Sequence, residues 1–213
     1  INKYDTNHRN EVLKKLLEKA ERGFMKPIVA VIGDAVLKEN DEEYKIAEEI
    51  GKLLIDAGYR VQTGGLGGVM EAALKGAKTS EKYEYGDTIA ILPGTTPADA
   101  NNYADIKVAT GLDNMSARQV VDTYAVIAIG GGAGTLAEIA TAWSMYKLIV
   151  AWNKKGWSGK LAGKRVDERI RYPELPDDKV YSFSKTSEAI TLIQTEGNKY
   201  QKEYHGIKWR KKK

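Results

Sequence analysis

The feature that most constrains this chain is a series of short apolar segments that largely lack alternation with polar residues. They are "PIVAVIG" (27–33), "YRVQT" (59–63), "TIAILPG" (88–94), "DIKVAT" (105–110), "AVIAIGG" (125–131), "LIVAWNK" (148–154) and "KVYSF" (179–183). A strand with one face in water alternates, whereas a strand covered on both faces reads as a continuous apolar run, as in a parallel sheet packed between helices. Stretches at helical spacing lie between these runs, at 41–58, 69–77, roughly 114–124, Thr135 to Lys147, and 187–196. Strand and helix alternating in this way specify a doubly wound α/β fold of the Rossmann-like type, with helices on both faces of a parallel sheet.

The chain divides into an N-terminal extension (1–26), the α/β domain (27–197) and a basic tail (198–213). In the extension, Val12, Leu13, Leu16, Leu17 and Ala20 recur at helical spacing over 7–22. Residues 155–178, "KGWSGKLAGKRVDERIRYPELPDD", interrupt the strand–helix rhythm and read as a long loop of functional or mobile character. The specificity walls of any site are expected there and in the loop at 95–104.

Composition excludes several chemistries. At 42% hydrophobic and 29% charged residues the chain is globular, and no apolar run approaches the ~18 residues of a membrane span. No signal-peptide pattern opens it, so cytoplasmic location is expected. Cysteine is absent, which removes disulfides, thiolate metal sites and a cysteine nucleophile. The two histidines, His8 and His205, lie in the terminal segments away from any strand end, which argues against a Ser-His-Asp triad or a histidine-bound zinc. No metal site is expected. The net charge of +4 sits in the tail: residues 199–213 carry seven Lys or Arg against Glu203, and the rest of the chain is slightly negative. The charge therefore does not make the domain a nucleic-acid binder; contact with acidic partners would run through the tail.

In open α/β sheets ligands bind at the carboxyl ends of the strands. Three glycine-containing turns fall there: Gly33, then Gly64, Gly65, Gly67 and Gly68, then Gly130, Gly131, Gly132 and Gly134 with Thr135. Glycine lets backbone N–H groups approach a ligand, and a following helix N-terminus favours an anion. "GAGTLA" (132–137) matches G-x-G-x-x-A. A dinucleotide site also wants an acid about 20 residues on, and none occurs between Glu138 and Asp167. No G-K-[ST] closes either glycine run, which excludes a P-loop. Thr135 and Glu138 fit the T-x-x-E capping box, a helix-start device that would also fix a carboxylate beside the anion site. Arg118, in the helical stretch before the strand, is the natural counterpart of Glu138.

These residues resemble the Lonely Guy family, often mislabelled as lysine decarboxylases. "GGGAGTLAE" (130–138) is similar to its P-G-G-x-G-T-x-x-E signature, "TGGLGGVMEAAL" (63–74) to its earlier glycine motif, and "NMSARQ" (114–119) to its M-x-x-R-K segment. The resemblance implies a Rossmann-like fold and a homodimer or homotetramer. It also implies cleavage of the N-glycosidic bond of nucleoside 5′-monophosphates, releasing base and ribose 5-phosphate without a required cofactor. Arg118 and Glu138 would then be the catalytic pair, with Gly131, Gly132, Gly134 and Thr135 as the phosphate loop. A carboxylate suits an oxocarbenium-like transition state. Three positions depart from the family pattern: Gly130 replaces its proline, Gln119 its lysine and Thr63 a leading glycine. Together with "GWSGKLAGK" (156–164), these departures resemble a smaller branch similar to molybdenum-cofactor carrier proteins. The alternative expectation is therefore a non-catalytic carrier of a nucleotide or a phosphate-bearing pterin ligand. A weaker one is single-stranded DNA binding, as in the related DNA-processing protein A group.

Overall fold

The computed structural model describes residues 26–200. The amphipathic stretch at 7–22, both histidines and the tail beyond Tyr200 lie outside the described residues. Seven parallel strands form one sheet: β1 (Ile28–Gly33), β2 (Arg60–Thr63), β3 (Thr88–Leu92), β4 (Ile106–Ala109), β5 (Ala125–Ile129), β6 (Leu148–Trp152) and β7 (Tyr181–Phe183). Their order is β4-β3-β2-β1-β5-β6-β7. The chain winds outward from β1 to β4, returns to the other side of β1 as β5, and then winds the opposite way. This is the Rossmann-like doubly wound arrangement.

Side chains of β1 show why its run does not alternate. Val29 and Val31 enter a core on one face of the sheet, and Ala30 and Ile32 enter a second core on the other. The first core is closed by α1 (Glu42–Asp56), α2 (Val69–Ala77) and α6 (Thr186–Glu196), through residues such as Ala47, Ile50, Leu54, Ala73, Ala189 and Ile193. The second is closed by α3 (Ala117–Val121) and α4 (Ala133–Ser144), through Val120, Val121, Ile139, Ala142 and Trp143. In α1 the buried positions Tyr44, Ala47, Ile50, Gly51, Leu54 and Ile55 recur every three to four residues, which places them on one stripe of the helix.

Three expectations are corrected. The helix at 114–124 is shorter: a 3-10 turn at Asp113–Ser116 leads into the five residues of α3. The helix expected from Thr135 begins earlier, at Ala133, with Gly132 as its N-cap. The segment 155–178 is not all loop, because Gly156–Leu161 forms a helix, α5. One and a half turns are too few to leave a periodic signal in the sequence.

The remainder of that segment is strapped down by a buried charge pair. Arg171 donates through Nε and Nη2 to the two carboxylate oxygens of Asp178 at 2.9 and 2.6 Å. Its Nη1 donates to the carbonyls of Trp143 and Lys147 at 3.1 and 3.0 Å, tying the strap to the end of α4 and to the turn before β6. The guanidinium lies 3.6 Å from the Trp143 ring centroid, and the Tyr200 hydroxyl donates to Asp178 at 2.9 Å. Ala142, Trp143 and Met145 are buried, so "TAWSMY" (141–146) packs inside the subunit.

Candidate functional site

β1 and β5 are neighbours, and their following connections leave on opposite faces of the sheet, which opens a crevice at their carboxyl ends. Gly33 ends β1 opposite Ile129 of β5; a Cβ on Gly33 would stand 2.2 Å from the Ile129 carbonyl oxygen. Only glycine fits there. A cavity of about 520 Å³ lies above this point, within the usual range of small-molecule pockets.

Six of the residues expected from the sequence line the cavity: Gly33, Gly64, Gly132, Gly134, Thr135 and Glu138. The others support it or lie apart. Gly68, with φ of 61°, turns the chain into α2, whose Val69 N–H donates to the Asp34 carbonyl at 2.9 Å. Gly65 (φ 78°) and Gly67 belong to the same turn, which is tied down by the Asn101 amide donating to the carbonyls of Gly65 and Leu66. Thr63, where the family carries glycine, is fully buried, and its hydroxyl accepts the Gly65 N–H at 3.1 Å. Arg118 is exposed on α3 and does not line the cavity, whereas Ala117 and Val120 of the same helix do. The structure therefore does not bring Arg118 to the cavity that holds Glu138.

The capping-box expectation is overturned. Thr135 lies inside the first turn of α4 and Glu138 in its second, so neither occupies a cap position, and no side chain caps this helix. Its first turn carries no acidic residue, and Gly132, Ala133 and Gly134 are exposed along the cavity wall. An uncapped helix start presents N–H groups and the positive end of its dipole to whatever fills the cavity. Glu138 is half-buried against the same space, and no side-chain hydrogen bond or ion pair reaches it among the described residues. Desolvation pushes its carboxyl up to about 7, so near neutral pH the group exists in both protonation states.

Gly130 has φ of 63° and Gly131 of 87°, a left-handed turn that proline cannot adopt. The Gly130 N–H, which proline would lack, donates to Ser158 Oγ at 2.8 Å. In return the N–H groups of Trp157 and Ser158 donate to the carbonyls of Gly131 and Gly130 at 3.0 and 3.1 Å. A Cβ on Gly156 would stand 2.4 Å from the Gly130 carbonyl carbon. The glycine at the position of the family's proline is thus held by the "GWSGK" helix, which clamps the loop from behind. The segment 155–178 does not line the cavity; its α5 shapes the glycine turn instead.

Several lining residues were not named as site residues from the sequence, although Leu66 and Met70 lie within the glycine motif at 63–74 and Asn114 and Ser116 within 114–119. Asp34, Leu66, Met70, Ile91, Pro93, Asp113, Asn114, Ser116 and Val120 come from seven different connections or elements. Asp34, directly after the strand-ending Gly33, is the one that position alone could have suggested. Among the described residues no Lys, Arg or His lines the cavity. Among the described residues no group of three or more His, Cys, Asp or Glu is placed to hold a metal ion, and no helix is long and apolar enough to cross a membrane.

Fold and crevice define a Rossmann-like protein with a cavity of small-molecule size at the switch point of a parallel sheet. Within that class the chain belongs to the SLOG cluster4 family, whose sequence profile matches residues 26–189. This establishes the Lonely Guy-like branch suggested by the motifs. An uncharacterized protein of Archaeoglobus fulgidus is 43% identical over 156 residues, covering 71% of this chain and 91% of that protein. The molybdenum cofactor binding protein of Rippkaea orientalis is 31% identical with a TM-score of 0.65, covering 80% of this chain and 96% of that one. The Moco carrier protein of Chlamydomonas reinhardtii is 30% identical with a TM-score of 0.62, covering 82% and 99%.

Proposed function

We propose that the chain binds a small phosphate-bearing ligand, a nucleotide or a phosphate-bearing pterin, with its phosphate at the start of α4. The observation that carries this reading is the uncapped N-terminus of α4, whose residues Gly132, Ala133, Gly134 and Thr135 line the switch-point cavity. With no cation among the described lining residues, phosphate recognition falls to backbone N–H groups and the helix dipole. The likeness to molybdenum-cofactor binding and carrier proteins along most of both chains supports a carrier role of this kind. Calorimetric titration of the full chain with ribose 5-phosphate and ribose tests the reading. Phosphate-dependent binding is expected, and equal affinity for the two sugars would refute it.

A second reading, N-glycosidic cleavage of a nucleoside 5′-monophosphate, is favoured by Glu138. A desolvated carboxyl near 7 can donate a proton to a departing base in one state, and in the other can orient water and stabilise an oxocarbenium-like centre. Arg118, the partner the family resemblance implies, is not among the residues that line this cavity. Incubation with AMP, GMP and CMP, followed by chromatography for free base, separates hydrolase from carrier. Base release abolished in Glu138→Gln with ribose 5-phosphate affinity retained supports cleavage; absence of free base at high protein concentration, with the nucleotide bound, supports the carrier. The homo-oligomer implied by the family is part of either reading, and light scattering of the full chain tests it.

A further inference from the structure

A second cavity of about 440 Å³ adjoins the first and shares Leu66, Pro93 and Asp113 with it. Its remaining walls are Leu92, Gly94, Thr95, Asp99 and Gly111. The two spaces form one groove leading from the start of α4, past Leu66 and Pro93, to the loops that follow β3 and β4. Those loops are pinned to each other: the Asp113 N–H donates to the Pro93 carbonyl at 3.0 Å and the Gly111 N–H to the Gly94 carbonyl at 2.8 Å. Asp99 stands over the same dipeptide, with Oδ2 3.2 Å from where a Gly94 Cβ would be.

The groove changes character along its length. Exposed helix N–H groups lie at one end beside Glu138, the middle combines apolar walls from Leu66, Met70, Ile91 and Pro93 with Asp113, and the Asp99 carboxylate lies with Thr95 at the other end. Among the described residues no side-chain hydrogen bond or ion pair occupies Asp99, and none of those that line either cavity is Lys, Arg or His. An acid-lined groove without a cation penalises each additional negative charge on its ligand, and a carboxylate at its far end accepts only from donors.

We propose that Asp99 reads the heterocycle of the ligand, so that the groove selects a phosphomonoester whose ring carries an amino group beside a ring N–H. The two oxygens of one carboxylate match such a pair in a forked, charge-assisted contact. The flat ring lies between the aliphatic walls, and the phosphate lies at α4. This inference rests on the phosphate site proposed above and adds the identity of the ligand's other end.

GMP and IMP differ only in the 2-amino group, which makes them the discriminating pair. Calorimetric titration of the full chain with GMP, IMP, GTP and ribose 5-phosphate is expected to show GMP bound about 10-fold tighter than IMP, and GTP bound more weakly than GMP. Asp99→Asn should reduce GMP to the affinity of IMP while leaving ribose 5-phosphate unchanged. Asp99 is exposed, and an unchanged thermal midpoint verifies that the variant is folded. Equal affinity for GMP and IMP, with ribose 5-phosphate still bound, overturns the role of Asp99 and leaves the phosphate site standing. Retention of the GMP preference in Asp99→Asn also overturns it. Failure of ribose 5-phosphate to bind at all overturns the phosphate site and this inference with it.

Discussion

Glu138 carries opposite messages at the level of a single residue. Its T-x-x-E spacing reads as a helix cap, yet it sits a turn further into α4 with its carboxyl desolvated against the cavity. Because burial raises this acid from 4.5 to about 7, the folded state holds a proton that the unfolded chain has released. Between those two values stability falls as pH rises, and the loss is complete above about 7 and absent below about 4.5. At about 1.4 kcal/mol per pKa unit, and with water able to reach the group through the cavity, the cost is on the order of 1–3 kcal/mol. Urea unfolding at pH 5 and pH 8 should therefore show a pH-dependent loss that Glu138→Gln lacks. Parallel behaviour of the two proteins would show that the carboxyl is better solvated than its surroundings imply. Gly130 gives the second test at this scale. Gly130→Ala forces a Cβ into a left-handed turn and should cost about 1–2 kcal/mol. Gly130→Pro also loses the N–H held by Ser158 and should cost at least about 3 kcal/mol in the same measurement. Restoring the family's proline alone would thus damage this loop, because its helix α5 is built for glycine.

Two elements matter more than their lengths suggest. α5 is six residues long, and its Ser158 is fully buried, accepting from Gly130 and donating to the Trp152 carbonyl at 2.8 Å. Ser158→Ala leaves a buried N–H without its acceptor, which costs about 1–3 kcal/mol. It should also weaken ribose 5-phosphate binding although Ser158 does not line the cavity; an unchanged affinity would show that the glycine turn holds its form unaided. The strap between α5 and β7 depends on Arg171 and Asp178, which are 0% and 1% exposed in their side chains. Removing either partner alone strands a buried charge and should cost about 3–5 kcal/mol. Arg171→Met with Asp178→Leu should cost less than the sum of the single changes, since no lone charge remains. A fully additive double variant would refute the coupling. Neither element was visible as such in the sequence. α5 is too short to show a period, and the strap is charged and proline-containing, with a stability that comes from one paired arginine rather than from an apolar stripe.

At the scale of the whole molecule, charge is divided between the tail and the groove. Residues 201–213 carry six Lys or Arg against Glu203, while the groove is lined by Asp34, Asp99, Asp113 and Glu138. Deleting 201–213 should leave ribose 5-phosphate affinity and the thermal midpoint unchanged, and should abolish any salt-sensitive retention on single-stranded DNA. DNA retention that survives the deletion would place nucleic-acid binding in the domain itself. The sequence alone determined the seven strands, their parallel winding and the glycine turns at their ends. For the five inner strands the reason is that covering both faces of a sheet demands apolar runs without alternation, whereas the edge strand β4 is largely exposed. The sequence also placed Glu138 and the glycine loop before α4 at the carboxyl edge of the sheet. Only the tertiary structure decided which of these residues share a space. α3 turns Ala117 and Val120, three apart, toward the cavity and Arg118 away from it, as helical spacing requires. Asp34, Asp99 and Asp113 come together from separate loops, and a loop acid leaves no periodic trace by which its neighbours in space could be read. The proline-to-glycine change at 130 likewise became intelligible only once Ser158, 28 residues away, was seen to hold its N–H.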